Sequence, residues 1–163
     1  MKEGFDKMIY VFLASGFEEI EALAVVDILR RAELEVQTVA VGTGGKTVRG
    51  AHGIPVAADV TEDEAQPEGL EMVVLPGGMP GTLHLEKSQT VQEFLQLAVN
   101  NGLWIGAICA APSILGHNGL ADGKRVTCYP GFESQLPHST YTAAPVEEDG
   151  KLITCLVYTS RGV

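Results

Sequence analysis

A chain of 163 residues is long enough for one domain with a real core and too short for two comfortable ones, so residues 1–163 are expected to form a single domain. A hydrophobic fraction of 45% excludes a mainly disordered polymer. A net charge of −10 speaks against nucleic acid, whose phosphates require a basic footprint, and would be repelled by an anionic membrane surface.

The apolar run at residues 8–14 is too short for a membrane span or a signal-peptide core, and it leads directly into Glu18, Glu19 and Glu21. A cytoplasmic location is the expectation. Cys109, Cys128 and Cys155 are far apart, with no C-x-x-C. An odd, sparse count fits free thiols in a reducing compartment better than a disulfide framework. His52, His84, His117 and His138 are scattered, so no structural metal site is expected.

In chain order, residues 8–14 read as a strand buried on both faces. Ser15 and Glu18 have the spacing of a capping box, opening a helix that runs to about Ala32. The β-branched segment 35–41 is the next strand. Residues 42–45 form a turn, and 46–57 a pair of short strands around Gly50 and Gly53. An acidic loop and short helix over 61–69 lead into a buried strand at 72–75. That strand ends in a loop rich in glycine and proline, residues 76–81. Residues 89–100 have helical periodicity. Residues 103–108 form a third buried strand, followed at once by Cys109 and by a helix in which Pro112 is tolerated in the first turn. Residues 125–129 and 151–158 are the remaining strand candidates. Strands alternating with helices argue for an α/β fold, a mainly parallel sheet covered on both faces.

In such a sheet the reactive crevice lies beyond the carboxyl ends of the strands. Three segments arrive there: Glu18 to Glu21, the pair Gly77 and Gly78, and Cys109. A side chain on a sharp strand-to-helix turn stands clear of the sheet, as in the nucleophile elbow of hydrolases. The following helix N-terminus is expected to favour the thiolate by lowering the Cys109 pKa. A buried, inert cysteine is the alternative, and position alone does not separate the two. Gly77 and Gly78 offer backbone N–H groups that suit an oxyanion, or form a plain turn. Glu21 lies one turn after Glu18 and can lean toward the crevice, although a surface carboxylate is the default for such a position.

The stretch AVGTGGKT, residues 40–47, nearly spells a phosphate-binding loop. Ala40 stands where its first glycine is required, and strands, not a helix, are expected to follow. Nucleotide binding is rejected on that ground, and no cofactor is expected.

The segments GFEEIE (16–21), VVLPGG (73–78), AICAAP (107–112) and TSRG (159–162) together resemble the DJ-1 branch of the DJ-1/PfpI superfamily. The resemblance implies a flavodoxin-like fold, a homodimer and an easily oxidised cysteine. It implies that Cys109 is the nucleophile or redox cysteine and that Glu21 contacts its sulfur. Backbone N–H groups near Gly77, Gly78 and Ala110 would line an anion pocket, and His52 falls in the stretch used for the subunit contact. There are departures. The peptidase-like branch carries a histidine where this chain has Ala110, and Tyr129 stands where some DJ-1 members carry a histidine. Extra residues surround Cys155 to Tyr158, and the glycine-rich turn and long helix that follow TSRG in relatives are not in this sequence.

The function expected from the resemblance is a stress-protective, redox-responsive protein that meets peroxide or small reactive aldehydes at Cys109. Its enzymatic form would be a glyoxalase- or deglycase-like hydrolase or lyase. A redox-regulated chaperone or sensor without catalysis is the alternative. An intracellular cysteine peptidase is disfavoured by Ala110.

Overall fold

The computed structural model describes residues 7–157. In chain order the elements begin with β1 (Met8–Ala14), α1 (Glu19–Arg31), β2 (Glu35–Val41), the hairpin β3 (Thr47–Arg49) and β4 (Pro55–Ala57), and β5 (Val60–Thr61). Then come β6 (Leu70–Leu75), α2 (Gly81–Lys87), α3 (Gln89–Asn100), β7 (Trp104–Ile108), α4 (Pro112–His117) and β8 (Arg125–Val126). A 3-10 turn at Glu133–Gln135, β9 (Thr140–Tyr141), β10 (Val146–Asp149) and β11 (Leu152–Cys155) follow.

The main sheet has the order β10-β11-β7-β6-β1-β2-β5, and every pairing in it is parallel except that of β10 with β11. Numbered by chain position, the five central parallel strands β1, β2, β6, β7 and β11 lie in the order 2-1-3-4-5. This is the flavodoxin-like arrangement, whose direction of winding reverses between β1 and β6.

β1 shows why the sequence folds this way. Tyr10, Phe12 and Ala14 belong to one buried cluster, and Ile9, Val11 and Leu13 to the other. Alternate residues of a strand point to opposite faces, so an uninterrupted apolar run fits a strand covered on both sides. On the first face Phe94 of α3 packs with ring centroids 5.5 Å from both Tyr10 and Phe12. On the second, Ala22 and Val26 of α1 close over Val11 and Leu13. The Tyr10 hydroxyl donates to the Gln66 carbonyl at 2.9 Å and accepts from the Gln66 N–H at 3.0 Å, so its polar end is satisfied under the loop before β6.

Several expectations need correction. The cap of α1 is Glu18, not Ser15: its carboxylate accepts from the Glu21 N–H at 2.8 Å. Gly16, at φ +87°, first turns the chain, with its N–H on the Arg49 carbonyl, and that turn buries Phe17 before the helix can start. No helix forms over 61–69. Instead β5 adds to the sheet edge, and Glu64 folds back to accept from the Thr61 N–H at 2.8 Å. α2 was not foreseen, because its seven residues follow a Pro–Gly loop and are too few to show a period. Regular pairing at 125–129 stops at Val126, and the strand at 151–158 is ordered as β11 only to Cys155. Tyr158 and the TSRG segment lie outside the described residues.

Candidate active site

The carboxyl ends of β7, β6 and β1 lie side by side, and they carry Cys109, Gly77 and the start of α1. Cys109 adopts φ +63°, the left-handed conformation that a residue with a side chain takes only under constraint. The constraint is visible. The Cys109 N–H donates to the Cys155 carbonyl at 2.9 Å, and its own carbonyl accepts from the Tyr129 N–H at 2.8 Å. The elbow therefore exists as the sequence suggested, although Cys109 is only 9% exposed.

Glu21, in the first turn of α1, is 5% exposed. Its Oε2 accepts from the Gly77 N–H at 2.9 Å, and its carboxyl group also hydrogen-bonds the Cys109 thiol. Only glycine fits at position 77. A Cβ there would sit 2.5 Å from Glu21 Oε2, 2.9 Å from Cys109 Cβ and 2.9 Å from the Ile108 carbonyl. A Cβ on Gly78 would meet the Glu18 N–H and the Gly16 carbonyl, and Gly78 already has φ +93°. The two glycines let the loop after β6 lie directly against the start of α1, where the Gly77 carbonyl accepts from the Glu18 N–H at 2.9 Å.

The electrostatics of the pair follow from burial. Loss of water raises Glu21 to about 7, and the Glu18 charge adds to that rise. The hydrogen bonds from Cys109 and Gly77 oppose it. Burial also pushes the Cys109 thiol up, and the Glu21 carboxylate pushes it further. The Ala110 N–H, bonded to the sulfur, pulls the other way without offsetting them. The expectation of a thiol acidified by a helix N-terminus is thereby reversed, because α4 has only six residues and begins three positions beyond the sulfur. The pair therefore holds two protons below about pH 7 and one above it.

The anion pocket read from the sequence is partly occupied by the protein itself. The Gly77 N–H serves Glu21, and the Ala110 N–H serves the sulfur. The half-buried Gly78 N–H makes no bond to protein among the described residues.

His52 flanks the site on the β3–β4 hairpin. Its backbone N–H donates to Glu19 Oε1 at 2.7 Å, and its ring Nδ1 lies 2.8 Å from Glu19 Oε2 and 3.5 Å from Glu18 Oε1. The Glu19 partner raises the His52 pKa, so its ring is drawn toward the cationic form. Among the described residues, Glu18, Glu19 and His52 form the group whose potential metal-ligating atoms come within 4.8 Å of one another. The Glu19 oxygens are committed to His52 and one Glu18 oxygen to the helix cap.

The description of the DJ-1/PfpI family matches residues 7–162 of the chain. The chain belongs to the DJ-1/PfpI family. It is 37% identical to protein dj-1beta of Drosophila melanogaster over 150 residues, covering 91% of this chain and 80% of that one. It is 31% identical to a glutathione-independent glyoxalase of Caenorhabditis elegans over 145 residues, 89% of this chain and 74% of that one. Among solved structures, oxidized Toxoplasma gondii DJ-1 superposes with a TM-score of 0.84 at 32% identity, covering 93% of this chain and 82% of that one. The sequence brings Glu18 to the crevice, and the structure adds that as the cap of α1 it fixes the helix turn that aims Glu21. Cys155 looked remote in sequence, and only the pairing of β11 with β7 brings it beside Cys109. Among the described residues no helix is long and apolar enough to cross a membrane.

Proposed function

We propose that this DJ-1/PfpI protein uses Cys109 as a nucleophile toward small electrophiles, with reactive 2-oxoaldehydes as its substrate class. The observation that carries the reading is the carboxyl group of Glu21, raised to about 7 and hydrogen-bonded to the thiol. A carboxyl group near neutral in pKa can both take and return a proton at physiological pH. The Cys109 sulfur adds to the aldehyde carbon, and the carbonyl π pair moves to oxygen to form a hemithioacetal. Through an enediol, Glu21 then moves the proton of the former aldehyde carbon to the neighbouring carbon, while the hydroxyl proton of the first carbon passes to the oxygen of the second, leaving a thioester of the 2-hydroxy acid. Water hydrolyses the thioester to a 2-hydroxy acid and frees the thiol. In this reading the Gly78 N–H, which makes no bond to protein among the described residues, meets the developing oxyanion, joined by the Ala110 N–H once the sulfur is bonded to carbon. The glyoxalase name of the Caenorhabditis elegans relative supports this reading.

Hydroperoxides are the second class of electrophile that the same thiol would meet, and the oxidized state of the Toxoplasma gondii relative supports it. The three free cysteines suit a reducing, cytoplasmic setting. A homodimer is part of the proposal. Ile20, Ala24 and Ile28 form an exposed stripe along α1, with Ile20 71% and Ile28 63% exposed, and Ile54 is exposed close to Glu19. The deciding experiment is 2-hydroxy acid production from methylglyoxal. Cys109→Ser and Glu21→Gln should each abolish turnover. Unchanged turnover in Cys109→Ser overturns the proposal.

A further inference from the structure

We propose that Cys155 is the resolving cysteine of Cys109, so that the site reduces hydroperoxides through a two-thiol cycle. The inference rests on the reading of Cys109 as the reactive thiol and adds a second residue to it.

The two cysteines are 46 positions apart in sequence and adjacent in space. Cys155 is paired with Ile108 in the parallel ladder of β11 and β7, and the Cys109 N–H donates to the Cys155 carbonyl at 2.9 Å. With neighbouring strands about 4.8 Å apart and a rise of about 3.3 Å per residue, this register puts the two Cα atoms about 6 Å apart. A disulfide needs Cα atoms separated by roughly 4.4–6.8 Å. In a regular strand, Cys109 would face away from the side shared by Ile108 and Cys155. Its left-handed φ of +63° removes it from that alternation. A turn about the Cys109 χ1 angle, from Glu21 toward β11, is the movement required.

Two further observations favour Cys155. Burial first, and then the Glu21 carboxylate, raises the pKa of both Cys109 and Cys155, so both thiols lie within the field of one carboxyl group. Cys155 is half-buried, whereas Cys128 is fully buried within the apolar cluster, where burial and the Glu133 charge raise its thiol to about 11.

The chemistry balances as follows. The Cys109 thiolate attacks a hydroperoxide, the O–O bond breaks, and an alcohol or water leaves with a proton while Cys109 becomes a sulfenic acid. The Cys155 sulfur then attacks the sulfenic sulfur, and the S–O bond breaks. The departing hydroxide takes the Cys155 proton as water, leaving a Cys109–Cys155 disulfide. Two molecules of a small thiol reduce the disulfide and become a disulfide themselves.

The test is an equimolar hydrogen peroxide pulse, followed by alkylation under denaturing, non-reducing conditions and peptide mapping. The expected product in the unaltered protein is a Cys109–Cys155 cross-linked peptide that dithiothreitol dissolves. Cys155→Ser should instead accumulate Cys109 sulfinic acid, and its dithiothreitol-supported peroxide turnover should fall about tenfold through loss of the intramolecular partner. Sulfinic acid on Cys109 with Cys155 still alkylated in the unaltered protein overturns the inference while leaving Cys109 reactive. A disulfide from Cys109 to Cys128 also overturns it. Full alkylation of Cys109 after the pulse defeats instead the underlying reading of Cys109, and the cycle falls with it. The unaltered protein alone distinguishes these outcomes, so the result does not depend on the folding of a variant.

Discussion

Glu21 reaches Cys109 across Gly77: one carboxylate oxygen is fixed by the Gly77 N–H at 2.9 Å, and the carboxyl group bonds the thiol. The arrangement needs α1 to begin where Glu18 caps it and needs position 77 to carry no side chain. The carboxyl group of Glu21 thus has one fixed orientation and little water, and both facts have measurable consequences.

The first consequence is a pH-dependent stability term. Glu21 rises from an ordinary 4.5 to about 7 in the folded chain, so folding favours its protonated form. A group whose folded pKa is raised contributes stability that is fully present below the unfolded pKa and lost as pH rises through the folded pKa. Relative to Glu21→Gln, which has no such titration, the native protein should lose about 3 kcal/mol between pH 4.5 and 7, at about 1.4 kcal/mol per pH unit. Urea melts of both proteins across this range measure it. A constant difference between them would remove the buried carboxyl group from the account.

Gly77→Ala should damage the site more than the fold. The added methyl group would stand 2.5 Å from Glu21 Oε2 and 2.9 Å from both Cys109 Cβ and the Ile108 carbonyl, so Glu21 has to move. Overpacking of this kind costs roughly 1–3 kcal/mol, while a displaced proton carrier can lower turnover about a hundredfold. Thermal melts and methylglyoxal turnover on one preparation separate the two effects. Turnover within about twofold of the native value would show that the Glu21 position is not critical.

The frame of this site was legible in the sequence because its parts are local. The apolar run of β1, the 35–41 strand and the helical period of 89–100 coincide with observed elements, since burial on two faces or one face leaves a direct pattern. The elbow at Cys109 could be read from a strand running without a break into Pro112. What could not be read depends on contacts between distant segments. Glu18 displaced Ser15 as the cap because Gly16 must first turn Phe17 into the core. The thiol pKa moved opposite to expectation because burial and Glu21, both tertiary effects, outweigh one N–H from Ala110. Cys155 joined the site through sheet order, which no local pattern encodes.

The exposed stripe on α1 predicts an assembly that one charge can disrupt. Ile20 is the most exposed of the large hydrophobic side chains among the described residues, and it adjoins Glu19 and Glu21. Light scattering at micromolar concentration should give a dimer mass for the native protein. Ile20→Glu, which would force a carboxylate into a desolvated contact, should give a monomer with an unchanged far-ultraviolet spectrum. A monomer in the native protein would end the dimer proposal, and an undisturbed dimer in the variant would move the subunit contact away from α1.

The second consequence of the Glu21–Cys109 contact concerns thiol reactivity. Below about pH 7 the pair holds two protons, one on the carboxyl group and one on sulfur. Loss of one proton leaves either a thiol beside a carboxylate or a thiolate that accepts from a protonated carboxyl group, and the second form is the nucleophile. Its share of the singly protonated pair does not change with pH, so reactivity should rise through about 7 and then level off. Burial, with the Glu21 carboxylate beside it, holds the Cys109 thiol well above its ordinary range, so most of the singly protonated pair is thiol beside carboxylate. Glu21→Gln removes the carboxylate charge that holds the thiol up and keeps a neutral hydrogen-bonding partner, so its Cys109 reactivity should match the native protein below about pH 7 and keep rising above it, where the native profile levels off. Alkylation of Cys109 by neutral iodoacetamide, followed by peptide mass from pH 5 to 9, reads this without any substrate. Profiles that coincide up to pH 9 in the native and Glu21→Gln proteins would mean that the Glu21 charge does not act on the thiol.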